Sequence, residues 1–214
     1  SKFLKAGPGF GGSCFQKDIL NLVYLCGHYG LTEVAAYWQS VIDLNIWQQH
    51  RIAKVVVQKL FGSVTGKKIA ILGFAFKANT NDTRESPAIL ICKDLLEEGA
   101  FLAIYDPKVD EKQISIDLQH PQCSATTYHD SASVTASWAY NTSIKDAVLG
   151  ADAVIITTEW DSFSEINWKD LGASMRKPAW LFDTRNVTTQ FQLSESGIQY
   201  WRLGSFIDTI KSPT

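Results

Sequence analysis

"KKIAILGFAFKANTNDTRESPAILICKDLLEEGAFLAIYDP" occupies residues 67–107. It opens on a short β-rich run, KIAILGF (68–74), breaks into a polar connection, resumes as a helical candidate, SPAILICKDLLEEGA (86–100), and returns to a second β-rich run, FLAIY (101–105). Strand, helix, strand in that order predicts two parallel strands joined by a right-handed crossover. Further along, DAVIITT (152–158) and AWLFD (179–183) repeat the strand pattern, with helical candidates TSIKDAVLG (142–150) and FSEINWKDLGASM (163–175) between them. The alternation predicts an α/β domain with a mostly parallel sheet and helices on both faces, to which IQYWRL (198–203) adds an edge strand. The stretch 107–141 is polar and weakly periodic, and no element is assigned to it.

Upstream of the sheet the pattern is helical. Residues 32–61, TEVAAYWQSVIDLNIWQQHRIAKVVVQKLF, contain no Pro or Gly and predict a helix about 45 Å long. Its apolar residues, among them Trp38, Val41 and Trp47, occupy more than one stripe, as in a connector or a subunit contact covered on two sides. Before it, SCFQKDILNLVYLCGHYG (13–30) places Phe15, Ile19, Leu22, Val23 and Cys26 on one helical face and ends at Gly27 or Gly30.

Bulk properties narrow the function. The chain has 214 residues, 45% hydrophobic and 20% charged, enough for one domain with a remnant or for two small ones. A formal net charge of −2, a pI near 6.1 and the absence of a Lys/Arg run argue against nucleic-acid or membrane-surface partners. No apolar run reaches the ~18 residues of a membrane span. Residues 1–20 lack a signal-peptide pattern, and the start SKFLKAGPGF reads as cut from something longer; a cytoplasmic location is expected. Cys14, Cys26, Cys92 and Cys123 show neither disulfide nor metal spacing, so reduced thiols and no metal site are expected. Cys26 and Cys92 lie among apolar residues and read as small buried hydrophobes.

Cys14 stands in GFGGSCFQKD (9–18). Ser13 followed by Gln16 three residues later matches a capping box, which makes Ser13 the N-cap and Cys14 the first helical residue. Unpaired N–H groups at that end of a helix stabilise a thiolate. Asp18, one turn on, shares the face of Cys14; a carboxylate there opposes thiolate formation, so its task is to orient a proton or a water, and Lys17 can offset its charge. Gly9, Gly11 and Gly12 remove Cβ atoms from the approach, leaving backbone open to a ligand. The spacing alone is equally consistent with a tight turn into a capped helix and a packing role for Cys14.

The full wording resembles the active-site signature of the nucleotide-sugar dehydrogenases, the UDP-glucose/GDP-mannose dehydrogenase family, in the form Gly-Phe-Gly-Gly-x-Cys-Phe-x-Lys-Asp of members acting on UDP-glucose. Every fixed position matches. The likeness continues through residues 67–88, similar to the family's Gly-x-Ala-Phe-Lys followed by Asp-Thr-Arg-Glu-Ser, and through YDPKV (105–109), TEWDSF (158–163) and FDTRN (182–186). The resemblance implies an enzyme built of an NAD-binding Rossmann domain, a central helix used in dimerisation, and a second Rossmann-like domain for the UDP-sugar. On that plan residues 1–64 are the cysteine segment and central dimerisation helices, and 65–214 the UDP-sugar-binding domain. No G-x-G-x-x-G follows a strand here, and ILGFAF (71–76) has one of the three glycines, so the NAD-binding domain is expected to be missing and the isolated chain inactive. Asp106 resembles a ribose-binding acid in position only and reads as a cap on the turn with Pro107.

The resemblance further implies NAD-dependent oxidation of UDP-glucose to UDP-glucuronate, with the aldehyde stage held on Cys14 as a thiohemiacetal, then a thioester that water hydrolyses with help from Asp18. It places Lys5, Gly9, Phe10, Gly11, Gly12, Phe76, Lys77 and Arg185 on the UDP-sugar, and Cys14, Lys17 and Arg84 on the NAD side. Read without the family, Lys5 is a solvated charge, Phe76 a core residue, Arg84 the partner of Asp82 or Glu85, and Arg185 the partner of Asp183. Thr184 stands where the family usually has glycine, a departure that implies a different backbone path into Arg185. Ala78, Asn79 and KAGP (5–8) also depart from the animal and plant pattern. GDP-mannose or a UDP-N-acetylhexosamine remain alternative substrates, although CFQKD and FDTRN favour UDP-glucose; a non-catalytic UDP-sugar-binding or oligomerisation module remains a reading of the isolated chain.

Overall fold

A computed structural model describes residues 5–123 and 136–204. Two helices lead: α1 (Phe15–His28) and α2 (Thr32–Lys59). There follow β1 (Lys68–Leu72), α3 (Pro87–Glu97), β2 (Phe101–Tyr105), α4 (Glu111–Leu118), β3 (Ser137–Tyr140) and α5 (Ile144–Val148). The chain continues through β4 (Ala153–Ile156), α6 (Asp161–Ser164), α7 (Trp168–Ser174), β5 (Ala179–Asp183), α8 (Gln190–Leu193) and β6 (Ile198–Arg202).

The six strands form one sheet in the order β3-β2-β1-β4-β5-β6, and every pairing is parallel. Every residue of β1 and β4 is buried, because the central strands of a parallel sheet are covered on both faces. Right-handed crossovers then fix the layers. The chain moves one way from β1 through α3 to β2, and the opposite way from β3 through α5 to β4 and from β4 through α7 to β5, so α3 and the pair α5, α7 lie on opposite faces. The order reverses between β1 and β4, and their carboxyl ends open the crevice where folds of this kind hold ligands.

Local chemistry sets the elements. Ser86 caps α3 by accepting the Ala88 N–H, and Pro87 takes the first helical position, where its missing N–H costs nothing. Along α2, Ile52, Ala53, Val56 and Leu60 form one stripe inside the core cluster of the sheet, and the His50 Nδ1 to Asp94 Oδ2 contact of 2.7 Å clasps α2 to α3. The first half of α2 packs instead on α1, and its outer side, with Tyr37, Leu44 and Trp47, remains exposed. The core therefore runs unbroken from the second half of α2 into the sheet. No helix among the described residues is long and apolar enough to cross a membrane.

Several expectations change. The stretch 107–141 contains α4 and the edge strand β3; its residues 124–135 lie outside the described ones. β3 was hidden because SWAY is four residues long and follows a polar run, whereas its burial comes from pairing with β2. The candidate at 163–175 is two helices, with Asn167 capping the second through the N–H groups of Lys169 and Asp170. The capping box at Ser13 does not form: α1 begins at Phe15, Cys14 is its N-cap residue with α-helical backbone angles and no side-chain cap, and Ser13 Oγ lies 3.7 Å from Cys14 Sγ.

Candidate functional site

The carboxyl ends of four strands are stitched together by short polar side chains. Asp106, at the end of β2, accepts from the N–H groups of Phe74 (2.6 Å) and Ala75 (3.1 Å) and from Trp160 Nε1 (3.2 Å) through Oδ2, and from Lys108 and Val109 through Oδ1. One buried carboxylate thus binds the exits of β1, β2 and β4, as expected of a buttress. Thr157 Oγ1 donates to Gly73 O (2.5 Å), Thr158 Oγ1 to Ala75 O (2.6 Å) and Thr184 Oγ1 to Ile156 O (2.6 Å). Gly73, at φ +94, has no room for a Cβ against the Thr158 side chain. Thr184 is fully buried and keeps the chain in line with β4; the left-handed turn falls at Asn186, φ +58.

That frame fixes Arg185. Its backbone N–H donates to Asp183 Oδ1 (3.0 Å), but its guanidinium turns away from Asp183. Nε donates to Thr157 O (2.8 Å) and faces Glu159 Oε2 at 3.3 Å, while Nη2 donates to Phe76 O (3.2 Å). Burial pushes its pKa down, and the Glu159 carboxylate opposes that shift. The side chain lies across the β1/β4 switch point, bonded to both strands' exits. Pairing with Asp183, the reading without the family, is therefore replaced by main-chain acceptors that only the fold brings near.

The glycine segment crosses the same end. A Cβ on Gly7 would sit 3.1 Å from Arg185 Nη1. Gly9, at φ +138, faces Asn45 and Gln49 of α2, and a Cβ on Gly11 would collide with the Glu85 carbonyl and approach Phe76. Gly12, at φ +88, lies against the Phe76 ring and donates its N–H to Arg84 O (2.8 Å). The space left by these missing Cβ atoms, which the sequence had suggested a ligand would use, is filled by side chains at Gly9 and Gly12 and by the Glu85 carbonyl at Gly11. Phe10 packs edge-on to Phe15 at 4.6 Å. Cys14 is exposed at the start of α1, with Lys17 and Asp18 exposed on the first turn.

Arg84 forms a two-point pair with Asp82, Nε to Oδ1 at 2.9 Å and Nη2 to Oδ2 at 2.7 Å. Hydrogen bonding to Arg84 holds the Asp82 carboxyl below the usual range, and the same bond raises Arg84. Lys77 is exposed, its Nζ 5.2 Å from the Phe76 ring centre, and Lys5 is exposed at the edge of the described chain. The segment from Gly7 to Cys14 therefore runs from Arg185 past Phe76 to Arg84, gathering most of the candidates named above along one crevice. Asn45, bonded to Phe10, and Gln48, whose Nε2 donates to Gly7 O at 3.4 Å, hold this segment, and Gln49 packs where a Cβ on Gly9 would lie; all three were missed. The sequence carried little signal for them, because α2 has polar residues on several faces and only the fold shows which of them are buried.

The β1–α3 turn differs from a dinucleotide-binding turn in how its N–H groups are used. The N–H groups of Phe74 and Ala75 are taken by Asp106, that of Phe76 by Asp82 O, and that of Ala88 by Ser86, with Pro87 at the first helical position, so the donors nearest the exit of β1 and the start of α3 are already bonded.

Sheet order and crossovers define the class: a Rossmann-like α/β domain preceded by a helical segment. Residues 70–190 match the UDP binding domain of the UDP-glucose/GDP-mannose dehydrogenase family, and residues 1–47 match its central domain. The chain belongs to that family. It is 48% identical to the UDP-glucose 6-dehydrogenases of Drosophila melanogaster, over 95% of this chain and 42% of that protein, and of Mus musculus, over 100% and 43%. It thus spans about two fifths of the length of these relatives. Among solved structures it is similar to a UDP-glucose dehydrogenase from Pyrobaculum islandicum, with a TM-score of 0.66 and 25% identity over 91% of this chain and 38% of that one. A GDP-mannose dehydrogenase from Pseudomonas aeruginosa shares the fold, with a TM-score of 0.60 and 21% identity over 94% and 41%.

Proposed function

We propose that this chain is the substrate-side part of a UDP-glucose 6-dehydrogenase, which oxidises C6 of UDP-glucose to the carboxylate of UDP-glucuronate in two NAD-dependent steps. The observation that carries the reading is the exposed Cys14, set by the Gly7–Gly12 segment beside Arg84 and Phe76, in a chain nearly half identical to enzymes of that name. Residues 65–214 hold the UDP-sugar and residues 1–64 carry the nucleophile and a self-association surface. That division is functional, since the core crosses it. The exposed apolar residues of α1 and α2, including Tyr24, Tyr29, Tyr37 and Trp47, suit a second copy of the chain.

When bound, NAD would supply the hydride acceptor, and the reading assigns its contacts on the Cys14 side to the exposed Arg84 and Lys17. The chain's own chemistry begins when Cys14 Sγ adds to the carbonyl carbon of the C6 aldehyde, forming a thiohemiacetal. After the second oxidation the carbon is a thioester, and water displaces the sulfur as thiolate, leaving the carboxylate. Asp18, one turn from Cys14, accepts a hydrogen bond from that water. Arg185 has Nη1 not bonded to the carbonyls that fix Nε and Nη2, and with Phe76 and Lys77 it faces the nucleotide-sugar.

The test is Cys14→Ser in the full-length protein. Turnover of UDP-glucose to the acid should fall by more than about a thousandfold, because the alcohol is a far weaker nucleophile at its free pKa. Thermal stability and UDP binding should stay as in the wild type, since Cys14 is exposed. Near-normal NADH release would return Cys14 to a surface residue without chemistry.

A further inference from the structure

Asn45 lies in the middle of α2 and is almost fully buried. Its Oδ1 accepts the Phe10 N–H at 2.8 Å, and its Nδ2 donates to the Phe10 carbonyl at 3.1 Å. A carboxamide bonded both ways to one residue fixes its rotation as well as its distance, which a single bond cannot. Gly9 is shaped for it: a Cβ there would come within 2.8 Å of Asn45 Oδ1 and 3.0 Å of Gln49. On the far side of the segment Gly12 donates to Arg84 O, so Phe10 and Gly12 are clamped to two different elements, and Cys14 follows two residues later. α2 is in turn tied to α3 by His50 and Asp94.

Packing alone does not ask for asparagine here. It is a poor residue for a helix interior, and burying its amide is costly unless both bonds are made. We propose that Asn45 is a positioning residue for Cys14: by gripping the Phe10 peptide it sets where the thiol meets the substrate carbon, while touching neither substrate nor cofactor. The inference rests on the reading of Cys14 as the nucleophile.

The test uses the full-length protein with UDP-glucose and NAD. Asn45→Ala should lower kcat on the order of 10- to 100-fold, the scale of an ångström-sized misplacement, and leave the Kd for UDP within about threefold. Asn45→Asp supplies the discriminating readout. Its carboxylate keeps the acceptor for the Phe10 N–H but opposes the Phe10 carbonyl; once protonated, it donates to that carbonyl and restores the grip. The kcat ratio of Asn45→Asp to Asn45→Ala should therefore rise as pH falls. Measuring both over one pH range subtracts the titration of Lys5, Cys14, Lys17 and Asp18 on the segment and α1, and of His50, which is committed to Asp94. A role in stability alone would lower the melting temperature without a pH-dependent kcat ratio. A flat ratio, or Asn45→Ala with kcat within about twofold of wild type, overturns the proposal. If Asn45→Ala does not fold, the ratio of Asn45→Asp to wild type decides in the same way. Cys14→Ser run in parallel separates the two readings: if it is active, the nucleophile assignment fails; if it is inert while Asn45→Ala is unimpaired, only the positioning role fails.

Discussion

Arg84 and Arg185 reach the same crevice from neighbouring loops, and the protein holds them in opposite ways. Arg185 is sequestered, with Nε on Thr157 O and Nη2 on Phe76 O, so its position is set by β1, β4 and β5 together. Arg84 is two thirds exposed and is held by a carboxylate two residues away in its own loop. The first is framework that also presents a cation. The second is a cation on a local tether, which a competing phosphate can displace at little cost, because exposed pairs contribute about 0–1 kcal/mol.

The largest effect should come from breaking the framework. Arg185→Lys keeps the charge but cannot span both carbonyls, leaving Thr157 O or Phe76 O without its donor. The expected loss is about 2–3 kcal/mol of unfolding free energy, the scale of a charge-assisted hydrogen bond, with loss of the thermal stabilisation given by UDP. Denaturant unfolding with and without UDP checks both. An unchanged midpoint would mean that Arg185 is tethered as loosely as Arg84.

The same contrast explains what could be read in the sequence. Arg84 and Asp82 are two residues apart in one loop, so their pairing was open to inspection, whereas the partners of Arg185 are carbonyls in the connections after β1 and β4, up to 109 positions away in the chain. Strands β1, β2, β4 and β5 were legible because apolar runs bounded by turns record burial directly, and β6 was legible as an edge. β3 was not, since its short run draws its burial from β2. The cysteine motif was found by its wording. What surrounds the motif, the Asn45 clamp and the Phe76 and Glu85 surfaces behind the glycines, depends on tertiary approach, and a missing Cβ does not say which atom fills the space.

Lys68 sharpens the comparison from the opposite end of β1. Like Arg185 it donates to main-chain carbonyls, Leu149 O at 2.8 Å and Asp146 O at 3.3 Å, but burial pushes its pKa down to about 8, Arg176 adds to that, and Asp146 opposes it. Unfolded lysine titrates near ~10.4. Below the folded value both states are charged and the cost of burying the charge is fully present; as pH rises from there towards ~10.4 the folded state has released its proton while the unfolded state has not, so this residue's contribution to stability rises with pH. Wild-type denaturation midpoints should therefore gain on those of Lys68→Met between about pH 8 and pH 10, by no more than about 1.4 kcal/mol per pH unit. Parallel profiles would show that the carbonyl cage holds the cation as comfortably as water does.

The smallest effect on stability should come from Arg84→Ala. The substitution removes both contacts to Asp82, yet the backbone N–H at position 84 still donates to Asp82 Oδ1 at 3.0 Å, and the carbonyl at position 84 still accepts from Gly12. The loop and the glycine segment therefore keep their anchors, and unfolding free energy should change by less than about 0.5 kcal/mol. Function should separate from stability at this residue. In the full-length protein the KM for NAD should rise about tenfold while that for UDP-glucose stays within about twofold, because the lost group is the exposed cation of the loop that holds Gly12, two residues before Cys14, and the sequestered Arg185 remains in place. Steady-state kinetics with each substrate varied in turn, beside a thermal melt, read the two quantities separately. A melting shift as large as that of Arg185→Lys would remove the distinction between framework and tether; a rise confined to UDP-glucose would move Arg84 from the cofactor side of the crevice to the sugar side.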